Sequence, residues 1–272
     1  MKDLKISLIG CGKMASALSL GIHKKFPNLN FFGFNRTPVK AQVLMEKING
    51  LAFGKVSELP SSDIYLLGVK PQQFDEMAKM TSTYLNPNSL IISMIAGINC
   101  ETISKKFKSN KIIRIMPNTP CAVGEGVVSI FFGKAIENKE KDLIKNIFQS
   151  VGLVIELPEE EQINISTVFT GSGPGFLFEI ARILHSKILE KGISPDISKK
   201  MICQTFLGTA KQMIESGESF EALRNSVTSK GGTTEAGLNI LNQKNLTGIL
   251  SEALEESLKR CSALSDIKEK NV

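Results

Sequence analysis

Histidine is nearly missing from this chain. Its 272 residues contain two, His23 and His185, and both fall in stretches of helical periodicity, where a lone histidine ordinarily packs or meets solvent. Catalysis centred on imidazole is therefore not expected. Cysteine is sparse and scattered. Cys11, Cys100, Cys121, Cys203 and Cys261 form no C-x-x-C pair, which argues against zinc spacing and against a disulfide framework; no metal is expected. Long hydrophobic runs are absent as well, none approaching the roughly 18–20 residues that span a bilayer. The apolar segment Leu4–Ile9 behind Met1-Lys2-Asp3 is too short for a secretory core and has no small-residue cleavage site after it. The expectation is a cytoplasmic protein without membrane contact. Nucleic-acid binding is not expected either, despite a net charge of +6. The densest basic run, Lys105-Lys106-Phe107-Lys108 with Lys111, reads as a solvated face without aromatic interleaving or a known binding motif.

What is present is an ordinary globular composition, 42% apolar and 22% charged, arranged in two styles. Up to about residue 155, β-branched or aromatic runs recur at Leu4–Ile9, Asn30–Phe34, Ile64–Val69, Leu90–Met94, Ile112–Met116, Val127–Phe132 and Leu153–Ile155. Amphipathic stretches such as Lys13–Lys25, Pro38–Ile48 and Gln72–Tyr84 separate several of them. Alternating strand and helix predicts a parallel, doubly wound α/β sheet of Rossmann type. Near Glu156 the pattern changes. Pro158-Glu159-Glu160-Glu161 sets three acids where a helix begins, which suits the positive end of its dipole. Beyond it the chain is nearly all of helical period: Phe176–Lys191, Asp196–Ser216, Thr233–Asn242 and Gly248–Ser265. Two domains are expected, residues 1–158 for nucleotide binding and 159–272 all helical.

Behind the first strand stands Gly10-Cys11-Gly12-Lys13-Met14-Ala15, a G-x-G-x-x-A. Its first glycine permits the tight turn, its second lets backbone approach a pyrophosphate, and its small third position lets helix and strand pack closely. The pyrophosphate would sit on the helix N-terminus, where unpaired N–H groups point. After the second strand come Asn35-Arg36-Thr37. The acid that accepts bonds from an NAD ribose is missing here, and three donors suited to a 2′-phosphate replace it. NADPH is the expected cofactor, with NADH possible.

Further motifs follow in order: Val69-Lys70-Pro71-Gln72, Ile95-Ala96-Gly97-Ile98, Met116-Pro117-Asn118-Thr119-Pro120, Thr170-Gly171-Ser172-Gly173-Pro174-Gly175, and Thr228-Ser229-Lys230-Gly231-Gly232-Thr233-Thr234. The ordered set, from residue 6 to about residue 264, resembles the pyrroline-5-carboxylate reductases. That resemblance implies that Gly10, Gly12, Lys13, Met14, Asn35, Arg36 and Thr37 hold the adenosine and phosphates. It implies that Val69, Lys70, Pro71, Ala96 and Gly97 line the path to the nicotinamide, with Asn118 close to the ring. It places the substrate in the helical half against Ser229, Gly231, Gly232, Thr233 and Thr234, with Glu160 near substrate or cofactor in some relatives. The implied reaction is reduction of the ring C=N of pyrroline-5-carboxylate to L-proline, the last step of proline synthesis. The implied assembly is a homodimer, or a ring of dimers, whose C-terminal helices interlock and complete the pocket. Departures from the family pattern are Ala15 for glycine, Thr170 for serine, Gly175 and Phe176 for alanine and tyrosine, and Lys230 for proline in the substrate loop.

The residues suit that chemistry. A protonated cyclic imine accepts hydride readily, so the protein must bind a carboxylate and orient a ring more than supply a strong acid. Paired glycines at a helix start expose N–H groups to a carboxylate, and Thr234 could bond the ring nitrogen or merely cap the helix. Lys70, in a V-K-P turn, reads as a cofactor or structural residue, and Glu160 as a dipole residue as readily as a ligand contact. The Gly171–Gly175 turn is expected to serve close backbone packing between the domains more than direct chemistry. Three other readings stay open. One is a reductase of another cyclic imine carboxylate. Another is a β-hydroxyacid dehydrogenase, although Arg182 precedes Lys187 where that family's lysine would fall. The last is a non-catalytic NADPH-sensing protein.

Overall fold

The computed structural model describes residues 3–266. Eight strands form one sheet: β1 (Lys5–Ile9), β2 (Asn30–Phe34), β3 (Leu51–Phe53), β4 (Ile64–Leu67), β5 (Leu90–Ser93), β6 (Ile112–Pro117), β7 (Gly126–Phe132) and β8 (Gly152–Glu156), in the order β3-β2-β1-β4-β5-β6-β7-β8. All neighbours run parallel except β6 and β7. Helices α1 (Lys13–Lys25), α2 (Pro38–Lys47), α3 (Phe74–Thr81), α4 (Cys100–Phe107) and α5 (Asn138–Gln149) connect them. Then come the short α6 (Gln162–Ser166), a π-turn at Thr167–Gly171, and α7 (Gly173–Glu190), α8 (Pro195–Glu215), α9 (Phe220–Ser226), α10 (Thr233–Gln243) and α11 (Leu246–Asp266). No helix among the described residues is long and apolar enough to cross a membrane.

The sheet explains its own sequence. Strands β4, β5 and β6 are buried at every position, because helices cover both faces of a parallel sheet, and so they read as unbroken apolar runs. One core lies on the α1, α2 and α5 face, around Leu8, Leu18, Met45, Ile113 and Phe148. The other lies on the α3 and α4 face, around Ile9, Tyr65, Phe74, Ile91 and Ile103. His23 packs edge-on against Phe31, with ring centroids 6.4 Å apart. Strand β3 was not expected: Leu-Ala-Phe is only three residues long and pairs with β2 alone at the sheet edge.

The described residues divide into two compact units, one of residues 3–174 with 257–266, the other Gly175–Glu256. Residues 159–174 belong to the first unit because α6 and the π-turn pack there. Ile163 and Val168 are buried, and Ser166 Oγ donates to Ser129 Oγ of β7 at 2.6 Å. The second unit is the reverse of a core-forming fold. Of its described residues only Ser198 and Ile202 are buried, while Phe178, Ile183, Met201, Leu207, Ile214 and Phe220 stand exposed. In that unit His185 Nδ1 and Ser198 Oγ, 2.8 Å apart, tie α7 to α8.

A charge pair with Arg114 buried and Glu160 half-buried ties β6 to the start of α4 and to the segment ahead of α6. Arg114, on β6, is 3% exposed, and its Nη1 donates to Glu160 Oε1 at 2.9 Å. The same oxygen accepts from the Cys100 N–H at 2.7 Å, placing a carboxylate at the α4 N-terminus, where the helix dipole favours it. Removing one partner leaves the other charge in a poorly solvated place. Arg114→Met is expected to cost about 3 kcal/mol of stability, read from urea unfolding at fixed protein concentration; an unmoved midpoint would show that the pair contributes nothing.

Candidate active site

The sheet's winding reverses between β1 and β4, and ligands of open α/β sheets bind outside the strand ends at such a point. There the backbone comes unusually close to itself. Gly10 has φ +98°, and a Cβ on it would stand 2.8 Å from the Gly68 carbonyl oxygen. A Cβ on Gly68 would in turn lie 2.9 Å from the Gly10 oxygen and 3.2 Å from the Ala15 Cβ. Gly68 was not singled out from the sequence; its signal was a lone glycine at the end of an apolar run. The loop is pinned from β2: the Gly10 N–H donates to the Phe34 carbonyl at 2.8 Å, and the Cys11 N–H to Asn35 Oδ1 at 3.0 Å. Cys11 itself is buried, and burial pushes its thiol up to about 12.

A cleft of about 280 Å³ opens beside this contact, and Gly10, Gly12, Asn35, Arg36, Thr37, Lys40, Val69, Lys70 and Glu76 are among the residues that line it. Lys13 and Met14 follow as the first residues of α1, whose N-cap is Gly12 with no side-chain cap and no acid in the first turn. The helix therefore presents uncommitted N–H groups and positive potential. Asn35 is largely committed to structure, since its Nδ2 also donates to the Thr37 carbonyl at 2.9 Å. Arg36 Nη1 donates to Glu76 Oε2 at 2.9 Å, across an exposed pair.

Other residues expected at the nucleotide are not among those that line this cleft. Pro71 opens a 3-10 turn after Lys70. Ala96 and Gly97 (φ +72°) turn the chain after β5. Asn118 is buried; its Nδ2 donates to the Thr170 carbonyl at 3.1 Å and its Oδ1 accepts from the Val127 N–H at 2.9 Å. It thus ties the end of β6 to the π-turn. Glu160, expected beside a ligand, is held by Arg114 and α4 as described. A Cβ on Gly173 or Gly175 meets nothing within 4 Å, and one on Gly171 makes only ordinary contact with Met116 and the Ser166 carbonyl.

In the second unit, Ser229 to Thr234 form a tight turn into α10. Gly231 has φ +73°, a left-handed conformation that favours glycine. A Cβ on Gly232 would fall 2.5 Å from Ser229 Oγ. Both glycine N–H groups are engaged within the turn, Gly232 donating to the Ser229 carbonyl at 2.9 Å and Gly231 to Glu235 Oε2 at 2.7 Å. The expectation that the glycines themselves present free N–H groups is therefore corrected. The available donors lie one step later, in the first turn of α10 at Thr233 and Thr234, where no side chain caps the helix. Thr233, Thr234 and Lys230 are exposed. Glu235, the clamp on this turn, was missed; its signal was an acid three residues past the capping position, a spacing at which side chains reach back to the helix start. No group of three or more His, Cys, Asp or Glu among the described residues could hold a metal ion.

A family model described as pyrroline-5-carboxylate reductase dimerisation matches residues 160–264, and one described as NADP oxidoreductase coenzyme F420-dependent matches residues 5–97. The chain is 33% identical over 267 residues to a pyrroline-5-carboxylate reductase of Staphylococcus haemolyticus, covering 96% of this chain and 98% of that one. It is 30% identical over 271 residues to pyrroline-5-carboxylate reductase 1 of Bacillus spizizenii, covering 98% and 91%. Among solved structures, that of the Plasmodium falciparum pyrroline carboxylate reductase with NADP bound superposes with a TM-score of 0.86 at 27% identity, covering 97% of this chain and 99% of that one. A pyrroline-5-carboxylate reductase from Coxiella burnetii superposes at 0.81 with 31% identity, covering 96% and 98%. With near-complete coverage at this identity, together with the glycine-walled cleft and the Gly-Gly-Thr-Thr turn, the chain belongs to the pyrroline-5-carboxylate reductase family.

Proposed function

We propose that this chain reduces the C=N bond of 1-pyrroline-5-carboxylate with NADPH, giving L-proline. The observation that carries the reading is the cleft at the sheet's switch point. Glycine backbone walls it, an uncapped helix N-terminus without a first-turn acid adjoins it, and Arg36, Lys40 and Lys70 line it. That donor set fits a phosphorylated dinucleotide. When bound, the dinucleotide supplies hydride from its nicotinamide.

The remaining work falls to the chain's own groups. The Gly10–Gly12 loop and the first turn of α1, Lys13 and Met14, receive the diphosphate. Arg36 and Thr37, with Asn35 holding the loop, receive the 2′-phosphate. Val69, Lys70, Pro71, Ala96 and Gly97 border the path of the nicotinamide, and Asn118 fixes the strand end and π-turn that adjoin it. The substrate carboxylate rests on the N–H groups of Thr233 and Thr234, while Ser229, Gly231, Gly232 and Glu235 shape the turn. The Thr234 hydroxyl bonds the ring nitrogen and selects the face that meets the hydride. Glu160 acts at one remove, through Arg114 and α4. An iminium is already electrophilic, so orientation and anion binding carry the rate, and the scarcity of histidine is no handicap.

Residues 1–158 serve nucleotide binding and 159–272 substrate binding and dimerisation. The exposed apolar helices of the second unit suit a homodimer, because a soluble monomer rarely leaves so much apolar surface in water; rings of dimers are an extension of the same contact. A cytoplasmic location fits a substrate and cofactor of central metabolism.

Turnover of NADPH with pyrroline-5-carboxylate, and none with hydroxyacids, is the expected result; cofactor binding without turnover would favour a sensing protein. Thr234→Ala is expected to lower turnover about tenfold or more, the worth of one well-placed hydrogen bond, with cofactor affinity nearly unchanged. Unaltered turnover would reduce Thr234 to a helix residue. Arg36→Asp is expected to raise KM for NADPH far more than for NADH, and equal effects would remove the 2′-phosphate from Arg36.

A further inference from the structure

The sequence lacks an acid after β2, yet the fold returns one to that place. Glu76, from the first turn of α3, meets Arg36 at 2.9 Å although the two are 40 positions apart, and both line the cleft. The site therefore holds side by side the two residue types that ordinarily separate the dinucleotides: an acid that accepts from a ribose 2′-hydroxyl and an arginine that takes a 2′-phosphate. The pair is exposed, its side chains 64% and 56% accessible, so an incoming ligand displaces it at little cost. Arg36 engages Glu76 through Nη1 alone among its five N–H donors.

We infer that Glu76 sets the cofactor preference of this site, accepting the 2′-hydroxyl of NADH and opposing the 2′-phosphate of NADPH, so that the chain uses both dinucleotides. The inference rests on the cleft being the dinucleotide site, as proposed above. Charge makes the effect two-sided. A carboxylate beside a phosphate dianion repels it and competes for the same guanidinium, whereas beside a hydroxyl it gains a hydrogen bond. Arg36, Lys40 and Lys70 still give the cleft a positive excess over Glu76, so NADPH is retained while its margin over NADH narrows. Asp75, the preceding residue, lies 3.3 Å from Lys106, which leaves Glu76 as the acid that faces the cleft from this turn.

The test is calorimetric titration of the unaltered full chain and of Glu76→Gln with 2′-phospho-ADP-ribose and with ADP-ribose, at low and high salt. Glu76→Gln should tighten the phosphorylated fragment about five- to tenfold and weaken the other, with the difference shrinking at high salt. Equal shifts for both fragments, or no shift, would overturn the inference, and so would an effect that salt leaves untouched. Fragment binding needs no turnover, so a chain that follows this pattern but fails to reduce the imine sinks the proposed reaction and leaves Glu76's role standing. A chain that binds neither fragment overturns both.

Discussion

The close passage of β1 against β4 at Gly10 and Gly68 is the contact on which the rest of the first unit depends. Each glycine would drive a Cβ into the other's carbonyl oxygen, so the two strand ends touch backbone to backbone. Ala15, 1% exposed, lies against the same point and lets α1 start directly above it. Because nothing projects there, α1 can start directly behind the glycine contact with no side chain capping its first turn. A larger side chain at any of the three would lift the helix away from the strand ends.

Around that fixed backbone the charged side chains are comparatively cheap to rearrange. Arg36 and Glu76 are exposed, and water competes for both. By contrast, Arg114 and Glu160 lie deeper and fasten β6 to the start of α4 and to the segment ahead of α6. The same ion-pair chemistry thus leaves both partners open to exchange where solvent enters and fastens elements together where it does not. Burial decides which, because desolvation sets both the cost of the charges and the cost of separating them.

The two units solve opposite problems. The first buries both faces of a sheet around two cores. The second is built from helices whose large apolar residues stay exposed within one chain, and it matches a dimerisation model. Its Gly-Gly-Thr-Thr feature is correspondingly local: a glycine turn clamped by Glu235, with the uncapped first turn of α10 just beyond it. A turn of this kind needs only its own backbone and one acid, so it keeps its shape without help from a core.

Alternating runs of β-branched residues, the G-x-G-x-x-A at residues 10–15 and the Gly-Gly-Thr-Thr turn were legible in the linear sequence because each rests on periodicity or on backbone chemistry within a few residues. Helix α1, strand β2 and the long helices of the second unit fall where periodicity put them, whereas β3 is too short to show a period. What only the tertiary structure decided are the pairings across distance. Gly68 answers Gly10, Arg114 holds Glu160 from 46 positions away, and Glu76 reaches Arg36 across 40. Local sequence fixes which atoms a segment offers. Chain folding alone chooses which partner consumes them, as with the Gly231 N–H taken by Glu235 and the Asn118 amide spent on the π-turn.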